Sequence, residues 1–511
     1  MDAIRLSIFA NRVDAICGEM GATLQKSAFS PNIRDRLDYS CAIFDAAGEL
    51  CAQAAHIPVH LGSMAFAMRD VVSLVNWSSG DMIVLNDPYK GGTHLPDVTL
   101  IAPVFVDAKL IGFVANRAHH ADIGAESPGS MPLSSSLLEE GLIIAPSFIV
   151  KENEIDEQYF AGLMKHMRNK QESSGDFIAQ IAANRRGLKR LQALIEKMGS
   201  DEYLRSLLEL NNYAAVLAEN SLSDINDGQY SFEDMLDDDG QGHNDITINV
   251  TVRFDAGKIT VDFSGSAKQV AGNINCPLSV TAAAVYYVFR CLMPAQTPAC
   301  AGSFQNITIL APEHSVVNAS FPAAVAAGNV ETSTRIVDVL LGALSKTMPE
   351  RIPAASHGSM NNLAMGSVGN ELYPAWDYYE TIGGGMGASA ISDGLDAVQT
   401  HMTNTLNTPI ESLEMKFPLR ITRYQIRQGS SGEGHHQGGE GLIREYEFLA
   451  AAQVTILSER RKHQPWGLSA GGSGKVGSNV LNDKILLAKQ SLDVRSGDIV
   501  CIKTPGGGGF G

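Results

Sequence analysis

The chain has 511 residues, 44% of them hydrophobic and 19% charged, which is enough apolar material for two to four domains or one large fold. A formal net charge of −17 argues against DNA, RNA or an anionic membrane as the main partner, because these partners require clustered Lys and Arg. The seven cysteines include no CxxC pair, which is typical of reduced thiols. The sequence has no secretory signal and no run near the roughly 18 apolar residues of a spanning helix, so we expect a soluble, cytoplasmic protein.

The N-terminal segments predict a helix followed by a β-hairpin. Apolar residues in segment 3–26 recur three and four positions apart, as on an amphipathic helix. Segment 39–53 alternates around an Asp-Ala-Ala-Gly turn and predicts a hairpin. Asp38 directly precedes the first strand of this hairpin.

Segment 91–122 combines residue types that bind metals with the pattern of a second hairpin. Two apolar, β-branched runs, 98–106 and 110–115, are joined by the short polar turn 107–109. If this turn is centred on Ala108, antiparallel pairing places Asp97 opposite His119 on one face of the sheet, with Cβ atoms about 5 Å apart.

His94, Asp97 and His119 can share one ion if that register is correct. His94 lies three residues before Asp97 in a Gly-rich loop, and a mixed imidazole and carboxylate set suits Zn, Mn or Fe(II). His120 would point to the other face. The alternative is that polar side chains merely cap two strand ends, and a slip of one residue would separate Asp97 from His119.

The rest of the chain predicts helices and antiparallel strands in separate blocks, so the predicted class is α+β. Three helical segments follow residue 154, and an acidic stretch at 224–245 resembles a boundary with a solvated turn. A strong hairpin pattern, two helical patterns at 281–292 and 331–346, and short strands beyond 418 come next. The predicted regions are a metal-site α+β region at 1–150, a helical block at 151–223, a mixed α/β core at 224–417 and a β-rich, Gly-rich region at 418–511.

Several glycine-rich matches to known motifs lack the required context. GGGMGA at 383–388 has no clear preceding strand, and GGGGFG at 506–511 has no following helix, so neither predicts dinucleotide binding. GLSAG at 467–471 is not followed by a helix, so Ser469 is predicted to be a turn residue. Because no Walker A sequence occurs, any ATP site is expected on another chain.

Ten segments between residue 27 and the last residue carry recognisable motifs: SAFSPNIRDRLDYSCAIFD, AAHIPVHLGSM, NDPYKGGTHLPDVTL, RAHHADIG, PAAVAAGNVETSTRIVDVLLGAL, ETIGGGMGAS, HMTNTLNTPIESLE, RQGSSGEGHHQGGEGLIREYEF, PWGLSAGGSG and TPGGGGFG. Together, in this order, they resemble the hydantoinase B family. That family includes the B subunits of ATP-dependent N-methylhydantoinase and 5-oxoprolinase, the caprolactamase B subunit and the α subunit of acetone carboxylase.

The resemblance implies a set of site residues. The implied metal ligands are Asp38, His94, Asp97 and His119. His120 and Asp122 are implied as catalytic candidates that orient the ligands. His56 and His60 are plausible substrate-pocket residues, although a turn at a strand edge explains the HIPVH sequence equally well.

The resemblance also implies a division of labour between two subunits. A hydantoinase A-like partner, similar to sugar kinases and actin, would use ATP and Mg to phosphorylate the substrate carbonyl oxygen. This chain would then complete the hydrolysis of a hydantoin, pyrrolidone or related lactam at its divalent metal, within a hetero-oligomer. Two alternatives stay open: a subunit of an ATP-dependent ketone carboxylase acting on acetone or acetophenone, and a non-catalytic scaffold for the kinase-like partner.

Overall fold

The computed structural model describes residues 3–55, 57–223, 225–369 and 374–511. The described residues form helices and four sheets in which all but one of the strand pairs are antiparallel, which confirms the predicted α+β class. Within those ranges, no helix is long and apolar enough to cross a membrane. The predicted divisions after residues 150, 223 and 417 stay predictions.

The predicted helices are present, and three helices that the apolar spacing did not predict, at 31–34, 60–74 and 410–416, are present as well. The opening helix and the three helices of the central block are present, although the block begins with a two-residue strand at Glu154–Ile155. The α-helices are α1 (Ala3–Ser27), α2 (Pro31–Arg34), α3 (His60–Leu74), α4 (Glu157–Met164), α5 (Lys170–Met198), α6 (Ser200–Leu222), α7 (Leu278–Leu292), α8 (Ser333–Leu344) and α9 (Ile410–Lys416). A π-helical turn, Gly328–Thr332, leads directly into α8.

The first sheet has seven strands and carries the hairpin predicted to bear the metal site. Its strands are β1 (Tyr39–Asp45), β2 (Leu50–Ala55), β3 (Met82–Leu85), β4 (Asp97–Val106), β5 (Lys109–His119), β6 (Ser147–Lys151) and β7 (Glu154–Ile155). They lie in the order β2-β1-β5-β4-β3-β6-β7. Helices α1 and α5 cover one face of the sheet and α3 covers the other, so both faces are buried and the strands are mostly apolar.

The β4–β5 hairpin has the predicted pairing of Asp97 with His119, although its turn lies at a different position and one strand contains a bulge. The turn consists of Asp107 and Ala108, both with positive φ, so it is centred half a residue earlier than predicted. A bulge at Ile111 inserts one unpaired residue in β5, which restores the predicted register for the rest of the hairpin.

The second sheet corrects the interpretation of the acidic stretch. Its strands are β8 (Gly228–Asp238), β9 (Asn244–Asp255), β10 (Lys258–Asp262) and β11 (Ile307–Leu310), in the order β11-β10-β9-β8. Half of the stretch predicted as a boundary is therefore strand β8. Asp237 and Asp239 are buried rather than solvated, because backbone N–H groups donate to both carboxylates. These hydrogen bonds offset the cost of burying the charges, which composition could not show.

Two further sheets form the C-terminal part. The short strand patterns predicted the strands beyond residue 418 but not the two at 362–367 and 376–380, and the second of these lies just before the GGGMGA segment. Their strands are β12 (Asn362–Ser367), β13 (Trp376–Glu380), β14 (Leu419–Arg427), β15 (Gly441–Phe448), β16 (Ala452–Leu457), β17 (Ser478–Leu481), β18 (Lys484–Leu486), β19 (Lys489–Val494) and β20 (Ile499–Lys503). One sheet has the order β13-β12-β16-β19 and the other β14-β15-β20-β17-β18.

The glycine-rich segments pack backbone against backbone. A Cβ on Gly385 would lie 1.9 Å from the Gly439 oxygen, and a Cβ on Gly507 would lie 2.0 Å from the Met386 oxygen. The N–H groups of Gly507 and Gly508 donate to carbonyls within the protein, at 2.9 and 2.8 Å. These glycines therefore serve close packing, and these two amides are already engaged within the chain.

Candidate metal centre

Strand register and helix packing bring four polar side chains to one end of the first sheet. Asp97 begins β4 and His119 ends β5, so the two side chains lie opposite each other on the face that α3 covers. His94 approaches from the loop before β4, and His60 is the first residue of α3. All four side chains are buried.

Three of these side chains form a compact group of ligand atoms. Asp97 Oδ1 lies 3.2 Å from His94 Nε2 and 3.3 Å from His119 Nδ1. One ligand atom from each of the three residues lies within 4.8 Å of the other two. The separation is small enough for a single cation to contact all three residues.

The other oxygen of Asp97 is held by neighbouring groups. Thr93 Oγ1 donates to Asp97 Oδ2 at 2.5 Å and Asn329 Nδ2 donates to it at 3.3 Å. His60 Nε2 lies 3.4 Å from the same oxygen, while His60 Nδ1 lies 3.0 Å from Ser40 Oγ. These contacts fix the carboxylate plane, so Oδ1 is the oxygen presented to His94 and His119.

The buried nitrogens of His94 and His119 are chemically suited to bind a divalent metal. His94 Nδ1 lies 3.1 Å from the Ala326 carbonyl, which can only accept, so the His94 proton belongs on Nδ1 and the Nε2 lone pair is free. Nε2 of His94 and Nε2 of His119 are both buried without a hydrogen-bond partner. Buried nitrogens of this kind normally find a partner, and a cation held with the Asp97 carboxylate would supply one.

The electrostatics of the group keep Asp97 charged. Burial would raise the pKa of Asp97, but His94, His119 and His60 together hold that pKa well below its usual range. Burial lowers the pKa of His119. For His94, burial lowers the pKa but Asp97 outweighs this effect, so the pKa of His94 is raised. The result is one buried anion surrounded by imidazoles.

Asp38 lies beside the group but outside its compact part. Its backbone carbonyl accepts the N–H of His119 at 3.0 Å, and its carboxylate acts to raise the pKa of His119. Among the described residues, the group whose ligand atoms lie within 4.8 Å of one another consists of His94, Asp97 and His119, and it does not include Asp38. Its role as a fourth ligand stays a prediction.

His120 and Asp122 contact other parts of the structure. His120 Nε2 lies 2.9 Å from Gln180 Oε1 on α5, so its ring lies on the opposite face from His119. Asp122 accepts N–H groups of Gly124 and Arg168, at 2.9 and 2.5 Å, and thereby closes the loop that follows β5. Their predicted roles in orienting the ligands stay predictions, since any such effect would pass through the backbone.

The two predicted pocket histidines differ in outcome. His60 contacts Asp97 and Ser40 from the start of α3, rather than lying in a turn at a strand edge. His56 lies outside the described residues.

Sequence reasoning missed three residues that contact the group. Thr93 donates to Asp97, Asn329 donates to the same carboxylate, and the Tyr379 ring stacks on His119 with centroids 4.6 Å apart. Thr93 could have been identified from the sequence, because it is adjacent to His94. Asn329 is 232 positions from Asp97, and no spacing pattern links them.

Comparisons with known proteins find relatives that match this chain over its whole length. A family model described as Hydantoinase B/oxoprolinase matches residues 2–511. The chain is 40% identical over 546 residues to 5-oxoprolinase 1 of Arabidopsis thaliana, a match covering 100% of this chain and 42% of that protein. It is 32% identical over 538 residues to a Pseudomonas sp. strain NS671 protein whose name describes it as the putative B subunit of a D-/L-hydantoinase, covering 100% of this chain and 90% of that protein.

A solved structure has the same fold. The crystal structure of ATP-dependent caprolactamase from Pseudomonas jessenii matches with a TM-score of 0.92 at 26% identity, covering 100% of this chain and 91% of that chain. This chain therefore spans nearly all of the Pseudomonas sp. protein and of the matched caprolactamase chain, and about two fifths of the plant protein.

Proposed function

Because this chain belongs to the hydantoinase B/oxoprolinase family, we propose that it is the metal-containing B subunit of an ATP-dependent enzyme that hydrolyses cyclic amides. The observation that carries this proposal is the buried convergence of His94, Asp97 and His119. A buried carboxylate with two imidazoles is a ligand set typical of catalytic metal sites.

Each polar residue around the group has a proposed task. His94, Asp97 and His119 hold a zinc, manganese or iron ion, with Asp38 as a fourth ligand. When bound, such an ion supplies Lewis acidity that polarises a substrate oxygen and activates water. His60 lines the substrate pocket at the Asp97 carboxylate. His120 and Asp122 fix the end of β5 and the loop after it, and thereby orient His119.

The ATP-dependent step is assigned to a separate hydantoinase A-like subunit. Support comes from the Pseudomonas sp. relative named as one subunit of a hydantoinase, from the ATP dependence stated for the caprolactamase, and from the lack of a Walker A sequence in this chain. An amide resists attack because its nitrogen lone pair stabilises the carbonyl. Phosphorylation of the carbonyl oxygen by the partner leaves an electrophilic carbon that water attacks. The ring C–N bond then breaks as the nitrogen takes up a proton, and a second water hydrolyses the resulting acyl phosphate to a carboxylate and free phosphate.

Reconstitution with the hydantoinase A-like subunit of the same source tests this proposal. ATP-dependent phosphate release would be measured with pyrrolidone-type lactams, hydantoins and ketones, the last with bicarbonate. We expect release with a lactam or hydantoin, together with a ring-opened product. Turnover of ketones alone would replace the proposal with the carboxylase alternative. A purified chain that binds no zinc, manganese or iron would favour the scaffold alternative.

A further inference from the structure

The π-helical turn Gly328–Thr332 lies directly against the candidate metal centre. Asn329, the second residue of this turn, donates its amide N–H to Asp97 Oδ2 at 3.3 Å. Asn329 is 3% exposed, so water does not compete for this contact. The turn therefore holds the oxygen of Asp97 that does not face the two histidines.

The same turn reaches His119 through a chain of buried side chains. The Tyr379 ring stacks on the His119 ring, with centroids 4.6 Å apart and an interplanar angle of 13°. The Tyr379 hydroxyl donates to Asn362 Oδ1 at 2.6 Å, and Asn362 Nδ2 donates to Glu331 Oε1 at 2.7 Å. Glu331 also accepts the Met360 N–H at 3.1 Å. Each link is a short, buried contact that restricts the next.

The turn itself is held in place by backbone packing. A Cβ on Gly328 would lie 1.9 Å from the Asn275 oxygen, and the Gly328 N–H donates to the Asn273 carbonyl at 3.0 Å. Single π-helical turns are rare and occur frequently at functional sites, because the wider turn changes the direction of its side chains. Here Asn329 and Glu331, two residues apart, reach Asp97 and the Asn362–Tyr379 pair respectively.

We propose that the π-helical turn Gly328–Thr332 is a positioning element for the metal centre. Asn329 orients the Asp97 carboxylate directly, and Glu331 orients the His119 ring through Asn362 and Tyr379. None of these four is proposed to bind the ion. The inference rests on the proposed function, because it assumes that His94, Asp97 and His119 hold a metal.

Metal binding by the purified 511-residue chain distinguishes a positioning role from ordinary core packing. Cobalt(II) affinity would be measured by chelator competition, and the geometry of the site by the visible spectrum of the bound cobalt. The variants are Asn329→Ala and Tyr379→Phe. The matched control is Tyr378→Phe, because Tyr378 is the neighbouring residue on β13 and its hydroxyl donates instead to Glu380 Oε2.

We expect Asn329→Ala to weaken cobalt binding by roughly 10- to 100-fold, as is usual when a group that orients a ligand is removed. Tyr379→Phe keeps the stacked ring and loses only the link to Asn362, so we expect a smaller loss, nearer to the lower end of that range. Both variants should change the cobalt spectrum. Tyr378→Phe should leave affinity and spectrum as in the wild type.

Wild-type affinity and spectrum in both variants would overturn the positioning role while leaving the metal site intact. If Asn329→Ala does not fold, Tyr379→Phe decides the question, because it removes a single oxygen atom. A wild-type chain that binds neither cobalt nor zinc nor manganese would overturn the proposed function, and the positioning inference with it.

Discussion

At the scale of single residues, the two oxygens of Asp97 have different environments. Oδ2 receives Thr93 and Asn329 and lies near His60, while Oδ1 faces His94 and His119. A carboxylate held in this way needs little reorganisation to bind an ion, since its orientation is already set by hydrogen bonds. The protein therefore holds the Asp97 carboxylate in the orientation that binding of an ion requires.

The double substitution His94→Ala and Asp97→Ala should abolish metal binding, because it removes two of the three converging ligands. Metal content would be measured on the purified chain, and phosphate release on the reconstituted enzyme. Both should fall to background, while ATP still binds to the partner. His243→Ala is the control, because this histidine is exposed and contacts Asp239 instead. Full turnover by the double variant would contradict the proposed mechanism.

At the scale of elements, helix α3 brings His60 to the sheet because it packs closely on α7. A Cβ on Gly62 would lie 2.7 Å from Tyr286 Cδ2 and 3.0 Å from Ala283 Cα, so the two helices approach at this glycine. The position of His60 at the start of α3 therefore depends on a small residue two positions further along the helix.

Gly62→Leu should force α3 away from α7 and destabilise the protein by about 1–3 kcal/mol, which is usual for overpacking a buried contact. The free energy of unfolding would be measured in urea. Gly18→Ala on α1 is the matched control, because a Cβ there meets nothing within 4 Å. It should be neutral or stabilise the helix by up to about 1 kcal/mol. Equal stabilities of Gly62→Leu and the wild type would show that the helices can separate without cost.

At the scale of the whole molecule, buried polar contacts join the segment before β1 to the C-terminal part. Arg36 donates to the Tyr379 carbonyl at 2.8 Å and to Thr381 Oγ1 at 3.0 Å. Glu331 lies in a further buried network, in which Glu459 lies 2.5 Å from Lys489. The candidate centre therefore depends on contacts from three separate regions of the sequence.

Glu331 should make stability depend on pH. Burial, with the nearby charge of Glu459 as a smaller cause, raises the pKa of Glu331 to about 8. The folded protein therefore keeps a proton that the unfolded chain releases near pH 4.5. The resulting stability is fully present below that pH and is lost as the pH rises towards 8, with a slope of at most about 1.4 kcal/mol per pH unit.

Glu331→Gln removes this titration, so its free energy of unfolding should rise relative to the wild type as the pH increases from 4.5 to about 8. Urea unfolding across that window would measure the difference. Glu219→Gln, at an exposed position on α6, should follow the wild-type profile. Parallel profiles for Glu331→Gln and the wild type would show that Glu331 is ionised when buried.

The sequence by itself determined most of the long helices, several of the hairpins and the pairing of Asp97 with His119. Two apolar, β-branched runs joined by a short polar turn lie close together in the chain, and the position of the turn determines which residues of the two strands face each other. Even there, the bulge at Ile111 was not foreseen. Its position depends on how β5 fits against the rest of the sheet.

Only the tertiary structure decided which distant residues surround that pair. Asn329 and Tyr379 reach the centre through the docking of the π-helical turn and of β13, and His60 reaches it through the packing of α3. Such contacts join residues that are more than 200 positions apart, or that depend on how helices pack. No periodicity in the sequence encodes them, because they result from many small packing energies summed over the whole core.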